Sequence, residues 1–324
     1  MPLLRRAILS DYSVFWLCAA YCLAVAPFTP GFATIGNLSN VLGTFLPLFL
    51  VALAQTLVLI SGGIDLSVTS TIGLSSIVGA MAMNDKDGWF AHHPLAAPAG
   101  IALMLAVGAA VGAFNGFAIA RLRMPAFIVT LGSMMGFGGL AVWLTHSQAI
   151  NQLPASFTML GGRLALASGI VLVVALLTHL MLSRSLFGRW LYAVGGNART
   201  AYISGVPVGG VLVAVYVLAG VLAALASVLY TGLVETGSPV LGQNILLDVI
   251  GATVIGGTSL FGGKGKVIWT LFGVVFCQRR ERSHGFVAGR NPRLLGAIFL
   301  LGGGRWRFFE WVVFLPAGWV VDSE

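Results

Sequence analysis

The chain has 324 residues, of which 58% are hydrophobic and only 9% charged, with a mean hydropathy of +0.95 and a net charge of +8. An ordinary soluble domain carries about 25% charge, so this composition excludes a soluble enzyme, a disordered chain and a fibrous one. The positive balance does not point to nucleic acid, because membrane proteins collect basic residues in their cytoplasmic loops.

Apolar segments follow one another along the chain at roughly 12–29, 41–60, 68–83, 95–120, 124–145, 164–182, 206–233 and 245–260, and another opens at Val267. Their lengths suit tilted helices crossing a hydrocarbon core of about 30 Å. The fold expected is therefore an all-α polytopic transmembrane helical bundle of about 8–10 spans with broken helices. The first segment follows Arg5 and Arg6 and carries Ala24-Val25-Ala26 directly before Pro27. That is a poor cleavage context, so it reads as a retained signal-anchor helix and not a removed signal peptide. Cys18 and Cys22, one helical turn apart in that segment, read with Cys277 as packed thiols, without a disulfide framework.

The loops orient the bundle. Arg5, Arg6, Arg121, Arg123, Arg184, Arg189, Arg199, Lys264 and Lys266 all fall on one side, and Lys86 and Arg163 on the other. This bias places the N-terminus in the cytoplasm.

After the second segment comes Ser61-Gly62-Gly63-Ile64-Asp65-Leu66-Ser67. Asp65 is the one charged residue between Asp11 and Asp85. A carboxylate at such depth either caps the third segment by accepting backbone N–H bonds of the Leu66–Val68 turn, or contacts a substrate. His92-His93, in a polar outer loop, reads as a solvated pair, and Glu235 as a solvated or partner-facing loop residue.

The fourth segment carries Gly108, Gly112 and Gly116, each four apart, which puts three small residues on one helix face for close helix packing. Gly132 and Gly136 repeat the spacing in the fifth segment and carry the same expectation. Asn115 and Thr130 lie within or near the ends of these segments. They either line a path for a polar solute or make interhelical hydrogen bonds. The stretch Ser183–Pro207 is a long, polar, glycine-rich loop on the basic side. Asp248 sits in the first turn of the eighth segment, where a helix-end role suits it.

Gly256-Gly257-Thr258-Ser259-Leu260-Phe261-Gly262-Gly263 ends the eighth segment. Like the first interruption it opens on a Gly pair with Leu three residues after the second Gly. This similarity hints at two related halves, a common plan in transporters. No nucleophile–base motif, metal-ligand spacing or GxxxxGK[ST] phosphate loop occurs, so no catalytic or metal-binding residue is assigned, and any ATPase has to be another subunit.

These stretches resemble a known family. SGGIDLSVTS at Ser61–Ser70 looks like the GGIDLSVGS signature of the permease subunits of ribose-type sugar ABC importers. GAFNGFAIARL at Gly112–Leu122, PAFIVTLG at Pro125–Gly132, FGRWLYAVGGNARTAYISG at Phe187–Gly205 and IGGTSLFGGKG at Ile255–Gly265 agree with it in order and spacing, over about residues 40–275. The resemblance implies a bacterial inner-membrane, multi-pass permease. It implies a second permease copy, as homodimer or heterodimer, and a solute-binding protein that delivers a monosaccharide. It implies a separate ABC ATPase that uses ATP, with no cofactor bound by this chain. The resemblance also implies that the 183–207 loop docks on the ATPase through Gly188, Arg189, Gly196, Asn197, Ala201 and Gly205. The family usually places an acidic residue after that Asn, where this chain has Ala198-Arg199-Thr200. An ion-gradient-driven secondary transporter is the alternative reading. It calls for more buried ionisable residues than Asp65 supplies.

The last part departs from the pattern. Residues 1–276 hold 11 Lys/Arg and 6 Asp/Glu, whereas residues 277–324 hold 7 and 4 in a far shorter stretch. The expected division is a permease domain at 1–276 and an atypical charged tail at 277–324. Two readings of the tail stand: a reading-frame change near Phe276, or a divergent interfacial segment anchored by Trp306, Trp311 and Trp319.

Overall fold

The structure is a computed structural model that describes Trp16 and residues 34–288, except the side chains of Asn37 and of residues 278–288. The first apolar segment, with Arg5, Arg6, Cys18 and Cys22, and nearly all of the tail lie outside the described residues. The chain divides into two units, Met1–Gln278 and Arg279–Glu324, and the helical bundle is that of the first.

The long apolar runs form helices because a helix satisfies every backbone group internally where lipid offers no partner. They are α1 (Ile35–Ile60), α2 (Val68–Met83), α3 (Ala96–Arg121), α4 (Ala126–Thr145), α5 (Ala155–Gly162), α6 (Leu164–Arg184), α7 (Leu186–Gly196), α8 (Ala198–Ile203), α9 (Val208–Val234), α10 (Leu246–Ile255) and α11 (Val267–Ala288). A 3-10 turn at Gln243–Ile245 leads into α10. Among the described residues there is no strand, only one antiparallel bridge between Ile150 and Gly237.

Five helices, α1, α3, α4, α6 and α9, are long and apolar enough to cross a membrane. The expected spans at 68–83 and 245–260 differ from this: the first is the 16-residue α2, below spanning length. The 245–260 run yields a helix of only 10 residues, α10, about 15 Å long and so half a hydrocarbon core. The run remains apolar through Leu260 and Phe261, but the chain leaves the helix at Gly256-Gly257, and Phe261 is 94% exposed.

At the centre, α9 packs against α3 and α1, and then α5 and α2. The apolar window of α1 is 89% buried, whereas those of α4 and α6 are 22% and 17% buried, which makes the last two the peripheral helices. With 16 residues, α2 is too short to span unaided and is buried on nearly every side. Polar side chains stitch the helices. Thr56 and Thr270 hydroxyls join α1 to α11 at 2.6 Å, Ser76 and Thr231 join α2 to α9 at 2.7 Å, and the Ser227 hydroxyl donates to Ile72 O at 2.7 Å.

The glycines of α3 lie on its crossing with α9. A Cβ at Gly108 would strike Gly220 O, one at Gly112 would come within 2.8 Å of Val217 Cα, and one at Gly116 within 2.8 Å of Val213 Cα. Gly132 and Gly136 behave differently: both are exposed, with nothing within 4 Å of the Cβ position. The expectation that they pack within the bundle is corrected. Their spacing matches that of α3, but among the described residues no helix lies against that face of α4.

The loops sort into two ends. At one end Asp85 N donates to Gln152 O (3.0 Å), Thr236 Oγ1 donates to Asn151 Oδ1 (2.9 Å), and Ile150 and Gly237 exchange two bonds of 2.8 Å. This end carries Lys86 and Arg163. The other end, the basic end, gathers 61–67, 122–125, 185–207 and 256–266, and with them Arg121, Arg123, Arg184, Arg189, Arg199, Lys264 and Lys266.

Candidate coupling and clamp site at the basic end

Between α1 and α2 the chain runs through seven residues, Ser61–Ser67, folded around buried polar groups. Asp65 is 3% exposed. Its Oδ1 accepts the Ser67 N–H at 2.8 Å and the Ser67 hydroxyl at 2.6 Å. Ser67 is the N-cap residue of α2, and its own side chain caps nothing. Asp65 thus holds the turn that starts α2, next to the positive end of the helix dipole, where a carboxylate is favoured. The polar chain continues across the bundle. Asn115 Nδ2 donates to Ser67 Oγ at 2.8 Å, and the Ser133 hydroxyl donates to Asn115 Oδ1. Thr130 Oγ1 lies 3.2 Å from Ile64 O and 2.9 Å from Ala126 O, with its proton directed to these carbonyls.

Asp65, Asn115 and Thr130, which the sequence singled out separately, therefore converge on one segment. α3 supplies Asn115, α4 supplies Thr130 and Ser133, and all three are buried. Their polar atoms face one another and the backbone of Ile64–Ser67. Opposite them α9 brings Tyr216, whose hydroxyl presses on the Cβ position of Gly63.

Beyond α6 the basic loop folds into two short helices at the surface. The Ser185 hydroxyl accepts Gly188 N at 3.0 Å and starts α7. Asn197 Oδ1 accepts Thr200 N at 2.9 Å and starts α8. Gly188 is buried, and a Cβ there would come 2.5 Å from Met181 O. Ala201 is buried, while Arg189, Gly196 and Asn197 are exposed. Gly205 has φ +83 and closes α8, with the Gly205 N–H donating to Tyr202 O and the Val206 N–H to Ala201 O, both at 3.0 Å. That left-handed cap favours glycine. Around these residues Leu186, Tyr202 and Ile203 are exposed beside Arg184, Arg189 and Arg199. Replacing Asn197 by Ala removes the α8 cap. It should cost about 1 kcal/mol, read as faster amide exchange over Ala198–Ile203 with α7 unchanged.

Sequence reasoning did not single out Ser67, Ser133, Tyr192 or Gly195. The Tyr192 hydroxyl donates to Gly265 O at 2.7 Å. Burial pushes this phenol above its ordinary range, so it remains a neutral donor. Gly195 lies against the backbone of Ile60, the last residue of α1, and of Gly263 in the second glycine-rich interruption. Among the described residues no group of three or more His, Cys, Asp or Glu is placed to hold a metal.

The family model described as the permease component of branched-chain amino acid transport systems matches residues 37–296. The chain belongs to this family. The match covers every helix of the basic-end site and runs past Phe276. The inner membrane ABC transporter permease protein YjfF of Escherichia coli (strain K12) is 35% identical to the permease over 269 residues, 81% of this chain and 78% of the relative. The ribose import permease protein of the same strain is 34% identical over 262 residues, 78% of each chain. That of Bacillus subtilis (strain 168) is 37% identical over 260 residues, again 78% of each. No solved structure gives a significant match. The resemblance seen in the five motifs is thus borne out, as is the all-α, multi-pass membrane class.

Proposed function

We propose that this permease is the membrane subunit of an ATP-driven importer and passes a monosaccharide handed over by a solute-binding protein. The observation that carries the reading is the identity with two ribose import permeases along 78% of the chain, beside a family match at residues 37–296 that takes in the whole basic-end site. In this reading the chain hydrolyses nothing. A separate ATPase uses ATP, no cofactor is bound here, and a second permease copy completes the pathway.

The geometry supports a role for each part of the site. The α7–α8 surface, with Leu186, Tyr202 and Ile203 among arginines, suits a groove on the ATPase. An apolar centre supplies contact area, and the rim charges orient it. Gly188, Ala201 and Gly205 shape that surface, Asn197 caps it, and Gly196 joins its two helices. Asp65, Asn115 and Thr130 act as a clamp on the 61–67 break, because their polar atoms are used on one another and on backbone. Gly108, Gly112 and Gly116 serve helix packing. Membrane lipid covers α4 and α6. The N-terminus lies in the cytoplasm, on the side of the seven basic residues of this end.

Ile203 is 78% exposed, so Ile203→Asp leaves the bundle intact. The variant should co-isolate at least tenfold less ATPase than the parent from the same membranes, the effect of about 1.4 kcal/mol lost from an apolar contact. Undiminished co-isolation would remove α8 from the docking surface. The substrate class is read by titrating the partner binding protein with a panel of monosaccharides and amino acids. Binding only to amino acids would overturn the sugar.

A further inference from the structure

The two glycine-rich interruptions are almost two hundred residues apart, yet they meet at one point, and the end of α7 lies between them. The Gly263 N–H donates to Ile60 O, the last carbonyl of α1, at 2.9 Å. Gly195 sits directly on this bond: a Cβ there would strike Ile60 O and come within 2.7 Å of Gly263 N. A Cβ at Gly262 would lie 3.0 Å from Gly62 N and 2.5 Å from Gly195 O. One at Gly263 would lie 3.1 Å from Gly196 Cα. The Tyr192 hydroxyl adds its 2.7 Å bond to Gly265 O, one turn earlier on α7.

We propose that the Gly195 end of α7 is a transmission pivot that moves the 61–67 and 256–266 breaks together when the α7–α8 surface is displaced. The inference rests on the reading of the chain as an ATP-driven permease and names the positioning residues through which that drive reaches the spans. The contact is backbone on backbone. Between Gly195, Ile60 and Gly263 no side chain intervenes to absorb a displacement, and packed protein transmits strain. Both outputs are placed to matter. Ile60 leads through Ser61–Ser67 into the Asp65 clamp and α2, and Gly263–Lys266 leads into α11. Elsewhere on α7, Gly188 is buried against the Met181 and Leu182 carbonyls, and Leu191 and Val194 are buried in the main apolar core. Gly195, against Ile60 and Gly263, and the Tyr192 hydroxyl, on Gly265, are the points at which α7 grips the end of α1 that opens the first break and the backbone of the second.

The test is a ratio. The complete transporter, with its ATPase and binding protein, is reconstituted in liposomes, and sugar uptake and ATP hydrolysis are measured in the same preparation. Gly195→Ala forces α7 off the Ile60–Gly263 bond, and Tyr192→Phe removes one hydroxyl without adding volume. The pivot predicts that hydrolysis persists while sugar carried per ATP falls, about fivefold for Tyr192→Phe, the worth of one net hydrogen bond, and further for Gly195→Ala. Gly169→Ala, at an exposed position of α6 with nothing within 4 Å of its Cβ position, should keep the parent ratio. Should Gly195→Ala not assemble, Tyr192→Phe alone decides. A parental ratio in both variants, or a parallel fall in uptake and hydrolysis, overturns the pivot. If the parent itself shows no ATP-dependent uptake, the permease reading falls and takes the pivot with it.

Discussion

Gly112→Leu should prevent the bundle from assembling, whereas Gly132→Leu, the same change on α4, should leave it intact. At Gly112 a Cβ would come within 2.8 Å of both Tyr216 C and Val217 Cα, and Gly220 on the facing helix has its own Cβ position 3.2 Å from Gly112 Cα. The α3–α9 crossing is thus glycine against backbone from both sides. Only small residues allow such an approach, and in lipid this close van der Waals contact is a main source of helix association. A leucine has to push α9 away along its whole length, and α9 is the helix on which α1, α2 and α5 also rest. Overpacking of rigid backbone should cost about 3 kcal/mol or more. At Gly132 the Cβ position meets nothing within 4 Å. Thermal unfolding in detergent, followed by size-exclusion, reads the contrast. Equal melting of the two variants would show that the crossing does not hold the bundle.

The second large effect is expected at Asp65. Asp65→Ala deprives the Ser67 N–H and hydroxyl of their acceptor inside the bundle, where each buried donor left unpaired costs about 1–3 kcal/mol. The Ser67 hydroxyl also accepts from Asn115, so the loss spreads along the line to Ser133. The start of α2 and the preceding break lose their clamp together. Uptake by the reconstituted transporter should fall more than tenfold, as about 1.4 kcal/mol or more is removed. Asp65→Asn keeps an acceptor oxygen in the same place and should retain a substantial share. An Asp65→Ala transporter with parental uptake would show that the clamp has no part in the cycle. Equal loss in both variants would assign the effect to the negative charge instead of the hydrogen bonds.

Much of this was visible in the sequence, for reasons that separate what is local from what is not. The runs at 41–60, 95–120, 124–145, 164–182 and 206–233 became long helices because hydropathy and length act within one segment. The same measure failed at 245–260. Leu260 and Phe261 look like continued span, but the Gly256-Gly257 pair stops the helix. The α5 helix inside the loop between α4 and α6 was also missed, since 8 residues between spans give no period to read. Spacing alone put Gly132 and Gly136 in the same class as Gly108, Gly112 and Gly116, and only the position of α9 distinguishes them. Asp65, Asn115 and Thr130 were each noticed for polarity in an apolar setting. Their convergence on Ile64–Ser67 was hidden, because it joins residues 48 and 66 apart. Gly195 carried no signal beyond belonging to a glycine pair: its importance lies in Ile60 and Gly263, which the chain reaches only by folding.

The most direct measurement is uptake of radiolabelled monosaccharide into liposomes holding the permease and its ATPase, with the binding protein outside and ATP inside. Uptake that requires all three components and ATP, and that survives the collapse of every ion gradient, is the expected result. Uptake by the permease alone, driven by an ion gradient and indifferent to ATP, would contradict it.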